Sequence, residues 1–254
     1  MRRILTGQTM PVALLVVLLG AWEWIVRQAD ISALVLPAPS VVASTLWTTL
    51  SSGYLWPHMG ATLVEMVLGL VLGGVTGLVI GVALAESAWL DRLFKPYVIV
   101  SQVVPKLALA PLFVLWFGFG MAPTVVMTAL ICFFPLMENT VTSLRQVDPN
   151  RVQLFRMLGA SRMQTLWRLK LPAGLPGMLA GWRVALVLSL VGAVVGEFIG
   201  ASRGLGAVII AAQGSMDTPL MFAALVAIAV IGLLAYQAIV MLERRLLRPY
   251  GDQP

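Results

Sequence analysis

Four ionisable residues stand inside long apolar runs: Glu65, Lys106, Glu138 and Glu197. A charge in hydrocarbon is costly, so such groups face a protein interior or a water path and read as functional. Lys106 follows Pro105, and Pro111 stands a few residues on. Proline removes a backbone donor and clashes with the preceding turn. This run is therefore expected to break near mid-membrane, where transporters often place their sites. Two readings of Lys106 stay open: it attracts an anionic group of a passing solute, or it pairs internally with Glu138 or Glu197. Gln102, Asn139 and Gln213 read as polar liners of the same pathway, and interhelical hydrogen bonding explains them equally. Glu23 and Glu65 are expected near the membrane interfaces, as solvated or snorkelling carboxylates. Other chemistry has little to work with. His58 is the only histidine, Cys132 the only cysteine, and no metal-ligating cluster or catalytic residue emerges from the sequence.

The elements that must position these groups are legible from composition. The chain has 254 residues, 59% hydrophobic and only 11% charged, against about 25% charged in an ordinary soluble domain. The apolar runs are too long and too unalternated for barrel strands, so the expected fold is an all-α integral membrane protein. Six spans are predicted, over Met10–Val26, Gly60–Ala85, Tyr97–Phe117, Pro123–Ser143, Gly181–Ile199 and Leu220–Leu242, making one transmembrane domain over residues 1–254. The first run follows Met1-Arg2-Arg3 and reads as a retained span, because Trp22, Glu23 and Trp24 stand where a signal peptide needs small residues. Gly69, Gly73, Gly77 and Gly81, and again Gly192, Gly196 and Gly200, form smooth stripes that let helices approach closely.

Seventeen lysines and arginines give the chain a net charge of +6, yet their placement argues against nucleic acid. Thirteen fall in one alternate set of connections, including Arg92, Lys95, Arg145, Arg151, Arg156, Arg162, Arg168, Lys170 and Arg248, whereas the opposite set holds only Arg27 and Arg203. The positive-inside rule then puts both termini in the cytoplasm. Outside, residues 28–59 contain Leu36-Pro37-Ala38-Pro39-Ser40 and an amphipathic stretch that Ser40 is expected to cap, lying along the membrane surface. Inside, residues 144–180 are the most basic segment and too polar to span.

In that inner loop Asp148 or Asn150 suits the start of a short helix, Gly159 its end, and Ser161 the start of a second helix followed by Pro172. Val152, Phe155 and Leu158 share one face at helical spacing. Two roles fit: docking in a partner's groove, or lying on anionic lipid of the inner leaflet.

The loop resembles that of bacterial binding-protein-dependent ABC importer permeases, whose pattern is Glu-Ala-Ala, three residues, Gly, nine residues, Ile, one residue, Leu-Pro. Gly159, Leu169 and Leu171-Pro172 match at the correct spacing, while Gln153-Leu154-Phe155 departs from the leading triplet. Leu36 to Ser40, Pro111 to Gly120, Phe133-Phe134-Pro135 and Gly196-Glu197-Phe198-Ile199-Gly200 are similar to the nitrate/sulfonate/taurine group of these permeases. The resemblance implies a type I importer permease fold in the bacterial inner membrane. It implies a coupling surface at Gln153, Leu154, Phe155, Leu158, Gly159, Ala160 and Ser161. It further implies two ATP-binding cassette subunits, a second copy of this chain, and a periplasmic or lipid-anchored substrate-binding protein. No cofactor is expected on this chain, which lacks a Gly-x-x-x-x-Gly-Lys-Ser/Thr phosphate loop; ATP and magnesium belong to the partner ATPase. The implied cargo is a small anionic or heterocyclic solute. A secondary transporter driven through the intramembrane ionisable residues is the alternative, and an intramembrane enzyme or scaffold a third reading.

Overall fold

A computed structural model describes residues 2–247, with side chains from Met10 onward. Arg248 lies outside the described residues, as do the side chains of Arg2 and Arg3. Eleven α-helices follow in order: α1 Arg2–Gln28, α2 Pro39–Ser51, α3 Leu55–Glu86, α4 Ala88–Val103, α5 Ala110–Phe117, α6 Met121–Arg145, α7 Pro149–Met157, α8 Arg162–Thr165, α9 Leu171–Gly200, α10 Leu205–Gly214 and α11 Thr218–Leu247. Five helical stretches are long and apolar enough to cross a membrane, and six if α4 and α5 form one broken span.

The bundle is organised around α6, which packs along α3 on one side and α9 on the other. The glycine stripes are the reason it fits. A methyl group at Gly77 would meet the Phe133 carbonyl oxygen at 2.6 Å, and one at Gly81 the Met137 carbonyl oxygen at 2.8 Å. On the other side, a methyl group at Gly192 or Gly196 would lie 3.0 Å from the Cα of Thr128 or Thr124. Helix backbones meet where side chains are absent, so packing replaces the hydrophobic drive that lipid cannot supply. Cys132 sits in this seam, fully buried, and its thiol donates to the Ala185 carbonyl at 3.2 Å. By contrast α1 is exposed along nearly its whole apolar length.

Several sequence expectations change. The fifth span is much longer than Gly181–Ile199: α8, a π-helical turn at Leu166–Lys170 and α9 run together from Arg162 to Gly200. Pro172 does not close a loop helix. It lies in the first turn of α9, where a missing N–H is harmless, and the adjacent π turn absorbs the register change. Ser40 is not the cap of α2 either. Ala38 precedes the helix and Pro39 occupies its first turn, so Ser40 lies inside. The Glu23 carboxylate takes over the capping role, accepting from Ser40 N (3.0 Å) and Ser40 Oγ (2.8 Å) while Arg27 Nε donates to it at 2.6 Å. Glu23 therefore clasps α1 to α2 and is more than a solvated carboxylate. Finally, α10 went unforeseen in the connection after the fifth span; ten apolar residues are too few to cross.

Candidate functional site

Three places along the membrane normal concentrate polar groups. The first is the expected break. After α4 the chain extends through Val104 and Pro105, makes one 3-10 turn over Lys106–Leu109, and re-enters α5 bent by 83° from α4. Pro105 and Pro111 cannot donate within a continuous helix, which is why the bend falls here. Lys106 Nζ lies 4.6 Å from the centroid of the Phe134 ring, itself edge-on to Phe133 at 4.9 Å. Among the described residues Lys106 forms no ion pair, so the internal bridge to Glu138 or Glu197, one of its two open readings, is not formed here. The reason is placement: Glu138 points off the bundle, exposed, and Glu197 is buried elsewhere. Gln102 and Gln213 are exposed too, while Asn139 is half-buried and donates from Nδ2 to the Pro135 carbonyl at 2.7 Å.

The second place is on the opposite-charge-poor end of the bundle. Glu65 and Glu197, 2% and 1% exposed, lie side by side between α3 and α9. Glu65 is therefore no solvated or snorkelling carboxylate: it is buried between the helices, level with the end of α9 that carries Glu197. Glu197 Oε2 accepts from Gly206 N at 2.6 Å, fastening the first turn of α10. Thr62 Oγ1 accepts from Leu205 N at 2.8 Å, and Gly204 N donates to His58 Nδ1 at 3.2 Å. Three consecutive backbone donors at the start of α10 thus end on side chains of α3 and α9. One oxygen of each carboxyl has no protein partner. Gly206 is required because a methyl group there would meet the Val194 carbonyl oxygen at 2.5 Å and the Glu197 Cβ at 2.9 Å. The sequence did hold a signal for this latch, the pair Gly204-Leu205-Gly206, since close backbone approach demands glycine.

The third place is the basic loop. Asp148 caps α7 by accepting from Asn150 N at 2.9 Å. Gly159 ends it at φ +77°, and Ser161 with Gln164 forms a reciprocal capping box at α8. These features match the sequence reading. The outward face does not. Val152 and Phe155 are half-buried, whereas Leu154, Met157 and Leu158 are 54%, 83% and 76% exposed. The i, i+3, i+4 set of Leu154, Met157 and Leu158 thus faces away from the bundle. Gln153 and Ser161 are exposed beside it, and Ala160 half-buried. Met157 was missed because it follows Arg156 and breaks the pattern chosen from Val152.

A helical bundle with a proline-broken span, glycine-packed core helices and a capped helix displayed from its basic end defines a polytopic membrane transport subunit. The chain belongs to the binding-protein-dependent transport system inner membrane component family, whose model matches residues 73–248. It is 40% identical over 239 residues to the riboflavin transport system permease protein RibX of Chloroflexus aurantiacus, covering 94% of this chain and 89% of the relative. It is 34% identical to the formylaminopyrimidine transport permease protein ThiX of Halalkalibacterium halodurans, covering 93% and 94%. It is 32% identical to the taurine transport system permease protein TauC of Escherichia coli, covering 96% and 90%. Its fold is that of the MetNI methionine ABC transporter in inward-facing conformations, with a TM-score of 0.67, 22% identity, and coverage of 75% of this chain and 95% of that one. The fold is therefore the type I importer permease fold. The chain is the membrane permease of an ABC importer for small solutes, working in the inner membrane with a separate ATPase and a substrate-binding protein. It is not an enzyme, since ATP hydrolysis resides on the ATPase. Nothing found favours a secondary transporter.

Proposed function

We propose that two copies of this permease enclose the pathway, that each copy presents α7 to one of two ATPase subunits carrying ATP and magnesium, and that the cargo is a small anionic or heterocyclic solute. The observation that carries the pathway reading is a lysine in the broken span that forms no ion pair among the described residues and stands half-exposed over Phe134. Lipid is a poor neighbour for such a group. The apolar run of α1, exposed over residues 11–19, suits lipid far better. Facing a second copy across a water-filled path, Lys106 attracts an anionic group, while Phe134 offers a ring face to a planar heterocycle. RibX and ThiX, whose names record riboflavin and formylaminopyrimidine transport, support the heterocyclic cargo; TauC supports the anionic one. Asn139 and Glu197 complete the set expected along this route: Asn139 stands next to Glu138 on α6, and Glu197 acts by holding α10.

Both termini are read as cytoplasmic. Connections at each end of the bundle bond among themselves, as Thr218 Oγ1 to the Leu34 carbonyl (2.6 Å) at one end and Arg145 to Asp91 (3.0 Å) at the other. The basic end is then the inner one.

The test is transport in proteoliposomes holding the permease, its ATPase and its binding protein. Lys106→Gln is expected to cut uptake at least tenfold while the binding protein keeps its affinity for the solute. Unchanged uptake would remove Lys106 from the pathway. Titrating the purified binding protein with riboflavin, formylaminopyrimidine and taurine separates the cargo classes. The ratio of permease to ATPase in the purified complex tests the symmetric pair.

A further inference from the structure

The far side of α7 carries a feature that ATPase docking leaves unused. Behind the helix is a cavity of about 380 Å³, within the size range of small-ligand sites, roughly 300–1,000 Å³. Val152 and Arg156, four residues apart on α7, form its roof. Arg162, Thr165 and Lys170 on α8 and the π turn form one wall, and the α3–α4 corner at Glu86, Ser87 and Ala88 forms the other. The outward patch of Leu154, Met157 and Leu158 does not line it. α7 thus turns its apolar patch outward and brings Arg156, itself exposed, to the rim of the cavity.

The charge balance is one-sided. The single carboxylate in the lining, Glu86, is taken by Lys170 Nζ at 2.6 Å. Among the described residues Arg156 and Arg162 form no ion pair. α4 also starts here. Its N-cap Ser87 accepts from Leu90 N at 3.3 Å, and Ser87 and Ala88 line the cavity, so the first turn of α4 adjoins it. A helix N-terminus favours an anion. Asp91 in that first turn does not compete, because Arg145 Nη1 donates to it at 3.0 Å. Depth matters too. Glu86 is the last residue of the spanning helix α3, and Lys170 immediately precedes α9. The cavity therefore lies at headgroup level, the depth at which phosphates of a bilayer occur.

We propose that this cavity binds a phosphate group, supplied by the headgroup of an anionic phospholipid in the adjoining leaflet, and that it braces α7 against the bundle. Two unpaired guanidiniums with a helix N-terminus match phosphate chemistry, since the fork of an arginine engages two phosphate oxygens together. The lipid source rests on this end lying at the membrane surface, and does not depend on the cargo or on where the ATPase docks.

Native mass spectrometry of the full-length permease in mixed phosphatidylglycerol and phosphatidylcholine nanodiscs reads the site directly. Wild type should retain phosphatidylglycerol over phosphatidylcholine. Arg156→Gln and Arg162→Gln should each weaken that retention about fivefold, from ~1 kcal/mol per basic residue at a membrane surface, and Arg162→Lys should restore part of it. Arg168→Gln, outside the cavity, should retain lipid as wild type does. Equal retention by Arg156→Gln, Arg162→Gln and wild type would overturn the proposal. Arginine-dependent binding of inorganic phosphate alone, in phosphatidylcholine discs, with no preference for phosphatidylglycerol, would overturn the lipid as occupant. Loss of the lipid on adding the ATPase would instead make an acidic partner side chain the occupant.

Discussion

Replacing Glu197 with alanine removes the acceptor that holds Gly206 N–H at 2.6 Å, and it does so where the side chain is 1% exposed. Two costs add. The orphaned backbone donor costs about 1–3 kcal/mol. The cavity left by a buried side chain of this size adds a cost of the same order, since large-to-alanine changes in cores run to about 2–5 kcal/mol. The sum is at least about 3 kcal/mol. For a chain of this length that is a fall in Tm of roughly 6 °C or more. Glutamine has a different effect. Its carbonyl still accepts from Gly206, and its amide can donate to the unpartnered oxygen of Glu65, so the loss should stay under about 1 kcal/mol. Thermal unfolding of the two variants in one detergent, followed by near-ultraviolet circular dichroism, separates the cases. A Glu197→Ala protein melting with wild type would refute the latch. A Glu197→Gln protein as unstable as Glu197→Ala would show that the negative charge, and not the acceptor, holds α10.

The remaining expectations concern packing, turn and topology. Gly77→Ala places a methyl group 2.6 Å from the Phe133 carbonyl oxygen, so it should destabilise the α3–α6 seam by about 1–3 kcal/mol, read as an earlier unfolding midpoint in mixed micelles. Gly159 has open space around it but φ +77°, so Gly159→Val should cost about 1–3 kcal/mol locally and speed proteolysis of the loop, with Gly159→Asn much closer to wild type. In intact cells, a cysteine at Ser202 should react with an impermeant maleimide and one at Ser161 should not. The buried Cys132 leaves little background, and the reverse pattern would invert the topology.

Much of this architecture is legible in the sequence because the bilayer imposes it. Length and hydropathy place the spans, Pro105 places the break, and glycines at every fourth position announce which faces of α3 and α9 meet α6. Caps at Asp148 and Ser161 and the left-handed Gly159 are local, and local chemistry reads well. What failed was tertiary. Glu65 looked solvated because nothing in one sequence shows that α3 buries it against Glu197 of α9. The roll of α7 escaped for a similar reason. Val152, Phe155 and Leu158 form an equally good apolar face, and only the packing of α7 on the bundle decides that Leu154 and Met157 turn outward. α10 was hidden by its length, being too short to span and too apolar for an ordinary loop.

The proposed coupling surface on α7 bears the most weight, and one measurement reaches it directly. Leu154→Ser with Met157→Ser changes two exposed apolar residues without touching the bundle core, so insertion and folding should survive. If these are anchor residues in an ATPase groove, each contributes roughly 2 kcal/mol, about thirtyfold in affinity. Co-purification of the ATPase with the tagged double variant from membranes is the assay, beside Phe155→Ala, whose half-buried ring should matter less to docking. The account predicts that the double variant loses most of its ATPase while Phe155→Ala retains more. A double variant that brings down a wild-type complement of ATPase would contradict it.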